Sequence, residues 1–333
     1  METSKKVNSL ILLRGIAVLS VCFCHFAQPL AKNNNLAEMF KMFHSYGKYG
    51  VNIFFVISGF IIPLSMDKAR YSIKYYFRFL YKRAIRLHPP YLIALALTLL
   101  VVAITNRVKH IAFPENLTSI IQSCFYLHIP INNPVFWTLQ VEAEYYIFIG
   151  GFFVLLKSFP KAALCIGIIV IMFLTRTEIV KHISLLKYII FFLIGIVGYV
   201  IYNKTGSFIL NMICLISLII FSFTFYEIPA SVASLLTISF ILLYKGPGNK
   251  FFDPFGEISY SLYLIHFPIG VKLLNLTYNH VNPNYYIFLF VITLATVSGL
   301  GWFFWKFVEK PFADLSNKIK YGESTKSPKS LVI

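Results

Sequence analysis

Uninterrupted apolar runs recur along the whole chain, each of roughly 15 to 20 residues and so long enough, or nearly so, to cross a bilayer as a helix. They are continuous and do not alternate in polarity, which excludes a β-barrel. In hydrocarbon, an isolated segment can satisfy its own backbone only as a helix. The charged fraction agrees: 13% of the residues are charged, against about 25% in a soluble domain. The expected fold is all-α, a polytopic transmembrane helix bundle. Its spans are read at residues 10–28, 49–64, 84–104, 136–156, 162–174, 188–201, 208–225, 229–243, 258–274 and 285–307, about ten in all. A weaker stretch at 116–127 suits a re-entrant or interfacial piece. No internal repeat and no soluble domain interrupts the pattern. Residues 1–315 form one membrane domain, and 316–333 a polar cytoplasmic tail.

The formal charge of +17 first suggests nucleic acid, but its distribution argues against it. Lysines and arginines gather in the connections between apolar runs, as the positive-inside bias requires. Between residues 65 and 90, Lys68, Arg70, Lys74, Arg78, Lys82, Arg83 and Arg86 face only Asp67. That segment is placed in the cytoplasm, and two preceding spans bring the N-terminus there too. Lys306, Lys310, Lys318, Lys320, Lys326 and Lys329 place the C-terminus on the same side. The cations at Arg176, Lys181 and Lys187 run against this rule. Lys5 and Lys6 before an apolar run resemble a signal peptide, but Arg14 interrupts the run, so a retained first helix is expected. The cysteines (Cys22, Cys24, Cys124, Cys165 and Cys214) have no metal-site spacing, and no disulfide framework or bound metal is expected.

Within the spans, ionisable residues mark candidate chemistry. Arg14 and His25 are eleven residues apart, which leaves them within about 20° on one helix face and roughly 16 Å apart along the axis. The competing reading of Arg14 is a cation that snorkels to the interface. For His25 it is a hydrogen-bonded core residue. In "GKYGVNIFFVISGFIIP", Ser58 and Gly59 interrupt an aromatic span, and Pro63 is read as its end; glycine there permits close helix approach. In "YKRAIRLHPPYL", Arg83 and Arg86 share a helical face ahead of a break expected at Pro89 and Pro90. Guanidinium groups bind phosphate bidentately, and a topological anchor is the plainer alternative. In "VFWTLQVEAEYYIF", Glu142 and Glu144 point about 200° apart, so at most one faces a given pocket. Glu142 lies at the estimated depth of His25, and a carboxylate beside an imidazole fixes its tautomer and raises its basicity. In "EISYSLYLIHFPI", Ser259, Tyr263 and His266 are read in the cytoplasm-facing half of the ninth span.

In this order, Arg14/His25, "FFVISGF", "RAIRLHPPY", "WTLQVEAEYY" and "SYSLYLIH" resemble the acyltransferase family 3 of bacterial integral-membrane acyltransferases, which includes O-antigen and exopolysaccharide O-acetylases. The likeness covers residues from about 9 to 315. It departs from the family pattern before Arg14, where Leu12 and Leu13 stand in place of an acidic residue, and it lacks the added extracytoplasmic domain of some members. The resemblance implies a multi-pass protein of the bacterial inner membrane. It would transfer an acyl group, most often acetyl, from cytoplasmic acetyl-CoA to a hydroxyl of an envelope glycan, lipid-linked glycans included. No permanently bound cofactor is implied, and the partners are acyl-CoA, glycan and bilayer, with no nucleic acid. His25 would be the general base and Glu142 its orienting partner. Arg14, Arg83 and Arg86 would hold coenzyme phosphates, with Ser58, Trp137, Tyr263 and His266 lining the substrate path. The rival reading is a proton-coupled transporter or a lipid or glycan flippase, in which His25 and Glu142 relay protons.

Overall fold

A computed structural model describes residues 8–32 and 35–321. Lys5, Lys6, Lys326, Lys329 and most of the expected tail lie outside them. No strand occurs among the described residues. The helices are α1 (Asn8–Leu30), α2 (Ala37–Gly47), α3 (Gly50–Lys68), α4 (Tyr76–Val108), α5 (Leu117–Cys124), α6 (Trp137–Ser158), α7 (Pro160–Ala162), α8 (Ile168–Leu174), α9 (Ile189–Tyr202) and α10 (Phe208–Phe225). They continue with α11 (Ile228–Leu243), α12 (Phe252–Glu257), α13 (Ser259–Ile265), α14 (Lys272–Thr277), α15 (Tyr286–Phe304) and α16 (Lys310–Lys318). Among the described residues, 6 helical stretches are long and apolar enough to cross a membrane: Asn8–Leu30, Ala37–Lys68, Ile73–Val108, Pro134–Ser158, Phe208–Phe225 and Pro283–Asn317. Three shorter apolar helices, Pro160–Leu174, Ile189–Tyr202 and Ile228–Leu243, fill the intervals. The weak stretch around residue 120 is the short α5, capped reciprocally by Asn116 and Ser119.

Two sequence-predicted breaks do not occur. Pro63 lies inside α3, which runs on to Lys68. Pro89 and Pro90 lie inside α4, which runs on to Val108. Each proline removes one backbone donor, but a buried bundle re-satisfies freed groups with neighbours. The Tyr260 hydroxyl also ties α13 to this part of α4, donating to the Leu87 carbonyl at 2.8 Å. Arg83 and Arg86 therefore stand within a continuous helix and not on a loop.

Two apolar cores hold the bundle together. Phe55, Phe60, Tyr145, Phe192 and Tyr199 centre one between α3, α6 and α9. Phe26, Tyr91, Leu262 and Phe290 centre the other between α1, α4, α13 and α15. In the first, α3 and α9 cross with a glycine from each helix at the contact. A Cβ on Gly59 would sit 2.1 Å from the Phe192 carbonyl oxygen, and one on Gly195 2.2 Å from that of Val56. Small residues let membrane helices approach this closely.

Contacts at the helix ends set the up-and-down order. Lys157, ending α6, bonds Asp67 at 2.6 Å, and Asn203, just past α9, bonds the same carboxylate at 2.9 Å. Asn8, opening α1, bonds the Gly246 carbonyl at 3.4 Å. Arg78 and Lys82 of α4 bond the carbonyls of Lys320 and Ile319, both at 3.2 Å. These ends make up one basic face. The other end carries the Lys48–Glu227 ion pair at 3.0 Å and the His128–Glu115 pair at 3.0 Å.

Candidate functional site

The basic end holds a guanidinium cluster. The Arg14 Nε donates to the Ser259 hydroxyl at 3.0 Å, which joins α1 to the start of α13. Arg83 donates from Nη2 to the Ser65 hydroxyl at 2.9 Å, and its guanidinium lies 5.6 Å from the ring centres of both Phe79 and Tyr146. Arg86, one turn further along α4, lies within electrostatic reach of Arg83, Arg14 and Glu309. The sequence-predicted arginines therefore come together from two helices distant in sequence.

Glu309 completes the cluster, and sequence reasoning missed it. It is 5% exposed and sits in the π turn Trp305–Glu309 between α15 and α16. Its Oε2 accepts from the Ser261 backbone N–H at 3.1 Å and the Ser261 hydroxyl at 2.5 Å. Arg14 and Arg86 both act on it electrostatically. An acidic residue in "WKFVEKPF" is the one signal that could have pointed to it, but it stands among basic residues that read as a helix-end anchor.

Further along α1, His25 meets α13. Its ring centre is 5.3 Å from that of His266 and 5.2 Å, edge-on, from Phe267. His266 begins the π turn His266–Val271, a helix irregularity common at functional sites. Pro268 stands in that turn, and Gly270 lets the Phe26 ring lie where a Cβ would meet it at 2.3 Å. The His266 Nδ1 is 2.6 Å from the Tyr263 carbonyl, so this nitrogen carries the hydrogen. That leaves Nε2 as a bare lone pair, buried and without a hydrogen-bond partner among the described residues. Tyr263 is held by Thr138 at 2.7 Å and by the Val135 carbonyl at 2.8 Å, with its ring 5.4 Å from His266. His266 thus lies at the depth of His25, two turns along from the Arg14–Ser259 contact.

Glu142 is not found as His25's hydrogen-bond partner. Its carboxylate accepts from the Tyr146 hydroxyl, whose ring lies under Arg83. Its charge also acts on Tyr263. Four residues on the same helix suffice for the Tyr146 contact, whereas reaching His25 requires crossing to α1. Glu144 points elsewhere, as the helical spacing predicts: it accepts from Gln140 at 3.3 Å and from the Leu185 backbone N–H at 2.6 Å. Trp137 packs on Tyr188 at 4.6 Å and on Phe55 at 6.0 Å, away from both histidines. Ser58 meets α6 through its carbonyl, 3.5 Å from the Tyr145 hydroxyl.

Beyond Phe267, at the end opposite the arginines, a cavity of about 660 Å³ opens. Gln28, Lys32, Asn132, Phe267, Lys272 and Asn275 are among its lining residues. Gln28 is almost one turn past His25 on α1, so the cavity adjoins the histidine pair. Nearby, the Glu115 side chain is only 4% exposed. Burial works against its charge, but hydrogen bonds from Ser119, the Ile131 N–H and His128 hold the carboxyl below its ordinary range. No group of three or more His, Cys, Asp or Glu side chains among the described residues could hold a metal ion.

The fold and the site define a helical membrane protein with an arginine cluster toward one end of α1 and a histidine pair toward the other. Residues 7–302 match the model of the acyltransferase domain of family 3, and the chain belongs to that family. Neither the curated proteins nor the solved structures give a match. The protein is accordingly an acyltransferase.

Proposed function

We propose that the protein carries an acyl group, acetyl by preference, from cytoplasmic acyl-CoA to a hydroxyl of an envelope glycan at the bacterial inner membrane. The observation that carries the reading is the placement of two chemically different poles on α1. Arg14 stands with Arg83 and Arg86 near one end of the helix, and His25 stands with His266 toward the other. The pantetheine arm of coenzyme A separates its phosphates from its thioester by a comparable length. Phosphates on the guanidinium cluster would lay the thioester toward His25.

His25 then takes the proton of the acceptor hydroxyl as its oxygen attacks the thioester carbonyl. The new O–C bond forms, the C–S bond breaks, and the coenzyme leaves as a thiol once protonated. The reading needs no acyl-enzyme. His266 and Tyr263 wall the base, Glu142 tunes the passage between the poles, and Ser58 and Trp137 line or brace the path. About ten crossings, with both termini in the cytoplasm, put the basic face on the coenzyme side and the cavity on the glycan side.

Labelled acetyl-CoA and purified protein in detergent, where no gradient exists, provide the test. Transfer to glycan or hydrolysis is expected for the wild type, and loss of both for His25→Ala at equal abundance. Gradient-dependent movement of a solute without acyl turnover would favour a proton-coupled transporter instead.

A further inference from the structure

We infer that the cavity opposite the arginine cluster is built for an anionic acceptor, a hydroxyl-bearing saccharide that carries carboxylate or phosphate. This rests on the acyl-transfer reading and names its acceptor class. Two cations, Lys32 after α1 and Lys272 opening α14, line the cavity, and no Asp or Glu lines it among the described residues. Lys109 adds its field to that of Lys272. The Ile131 N–H of the wall bonds the Glu115 carboxylate, which His128 also engages. These cations lie at the end away from the basic face, so a topology-setting role does not account for them.

The rest of the lining suits a sugar. Gln28, Asn275 and Asn279 offer amides that both donate and accept, as vicinal hydroxyls require. Phe267 connects this wall to catalysis, because its ring contacts His25 edge-on at 5.2 Å. An acceptor whose anionic group is held by Lys32 and Lys272 presents a neighbouring hydroxyl toward the imidazole. The lysines would act as specificity determinants, and they would not touch the reacting atoms.

Direct binding to the full-length protein in zwitterionic nanodiscs tests this without any acyl donor. The probes are oligoglucuronate, oligogalacturonate and a glycerol-phosphate oligomer, each against a neutral gluco-oligosaccharide. At low salt, at least one acidic probe should bind about tenfold or more tightly than the neutral one, and the gap should close near 0.5 M salt as exposed charges are screened. Lys32→Gln and Lys272→Gln should each weaken the acidic probe roughly threefold to tenfold. The double variant should bind it no better than the neutral probe, and Lys272→Arg should retain binding. Equal binding of acidic and neutral probes by the wild type, or an acidic preference untouched by the double variant, overturns the inference. So does a lysine-dependent preference for phosphatidylglycerol nanodiscs with no saccharide binding, which would make the cavity a lipid headgroup site. The acyl-CoA assay stands apart: turnover onto a neutral glycan would sink this inference and leave the acyltransferase reading intact.

Discussion

Gly59→Ala tests whether the crossing of α3 and α9 sets the position of the arginine cluster proposed to hold the donor. The added Cβ would lie 2.1 Å from the Phe192 carbonyl oxygen, with the carbonyl carbon at 2.8 Å and the Cα at 2.9 Å. An ordinary carbon–oxygen contact needs about 3.4 Å, so the helices must part by roughly 1.3 Å, enough to forfeit much of the dispersion along the seam. The obstruction is backbone and cannot swing aside like a side chain. Overpacking of this kind costs about 1–3 kcal/mol, offset by up to about 1 kcal/mol from alanine's better helix propensity. A net loss of about 1–2 kcal/mol follows. Gly151→Ala is the control, because its Cβ would meet nothing within 4 Å, and it should be neutral or stabilising. Thermal unfolding of both variants in one detergent gives the comparison. Because α3 also carries Ser65, which holds Arg83 at 2.9 Å, Gly59→Ala should raise the KM for the acyl donor as well. A Gly59→Ala variant as stable as Gly151→Ala would refute the packing argument.

Arg83→Lys keeps the charge but loses the planar fork and its fit over the Phe79 and Tyr146 rings, so the donor KM should rise about tenfold to a hundredfold with unchanged membrane orientation; an unchanged KM reduces Arg83 to an anchor. Glu309→Gln removes the negative charge that Arg14 and Arg86 share and weakens the Ser261 bonds, so donor affinity should fall about tenfold, the size of one charged hydrogen bond; steady-state kinetics with wild-type donor KM would contradict this. For Glu115, hydrogen bonds hold the folded carboxyl below its ordinary range, so its contribution is full above the unfolded value of about 4.3 and is lost as pH falls through the lower folded value. Protection of the loop around Ile131 against hydrogen exchange, taken relative to the intrinsic rate at each pH, should therefore fall in acid, and Glu115→Gln should remove that pH step.

The helix character and the identity of the polar residues inside the apolar stretches were legible from sequence, whereas the expected ten or so spans compare with 6 helical stretches long and apolar enough to cross among the described residues. Length and continuity of apolar runs leave a chain in hydrocarbon no other backbone solution. The Arg14–His25 spacing was equally readable, because eleven residues on one helix have a defined relative angle. The opposite directions of Glu142 and Glu144 followed from the same arithmetic. Partners on other helices were not readable, because no local rule states which helices become neighbours. Glu142 had Tyr146 four residues away, and that contact prevailed over the expected one with His25. The pairing of His25 with His266 depends on the π turn at Pro268 and on Gly270 admitting Phe26, and Glu309 reaches the arginines through another such turn. Pro63, Pro89 and Pro90 looked like breaks because each removes a backbone donor, whereas neighbouring packed helices hold α3 and α4 continuous through them. Tertiary packing alone decided which ionisable groups become neighbours across helices.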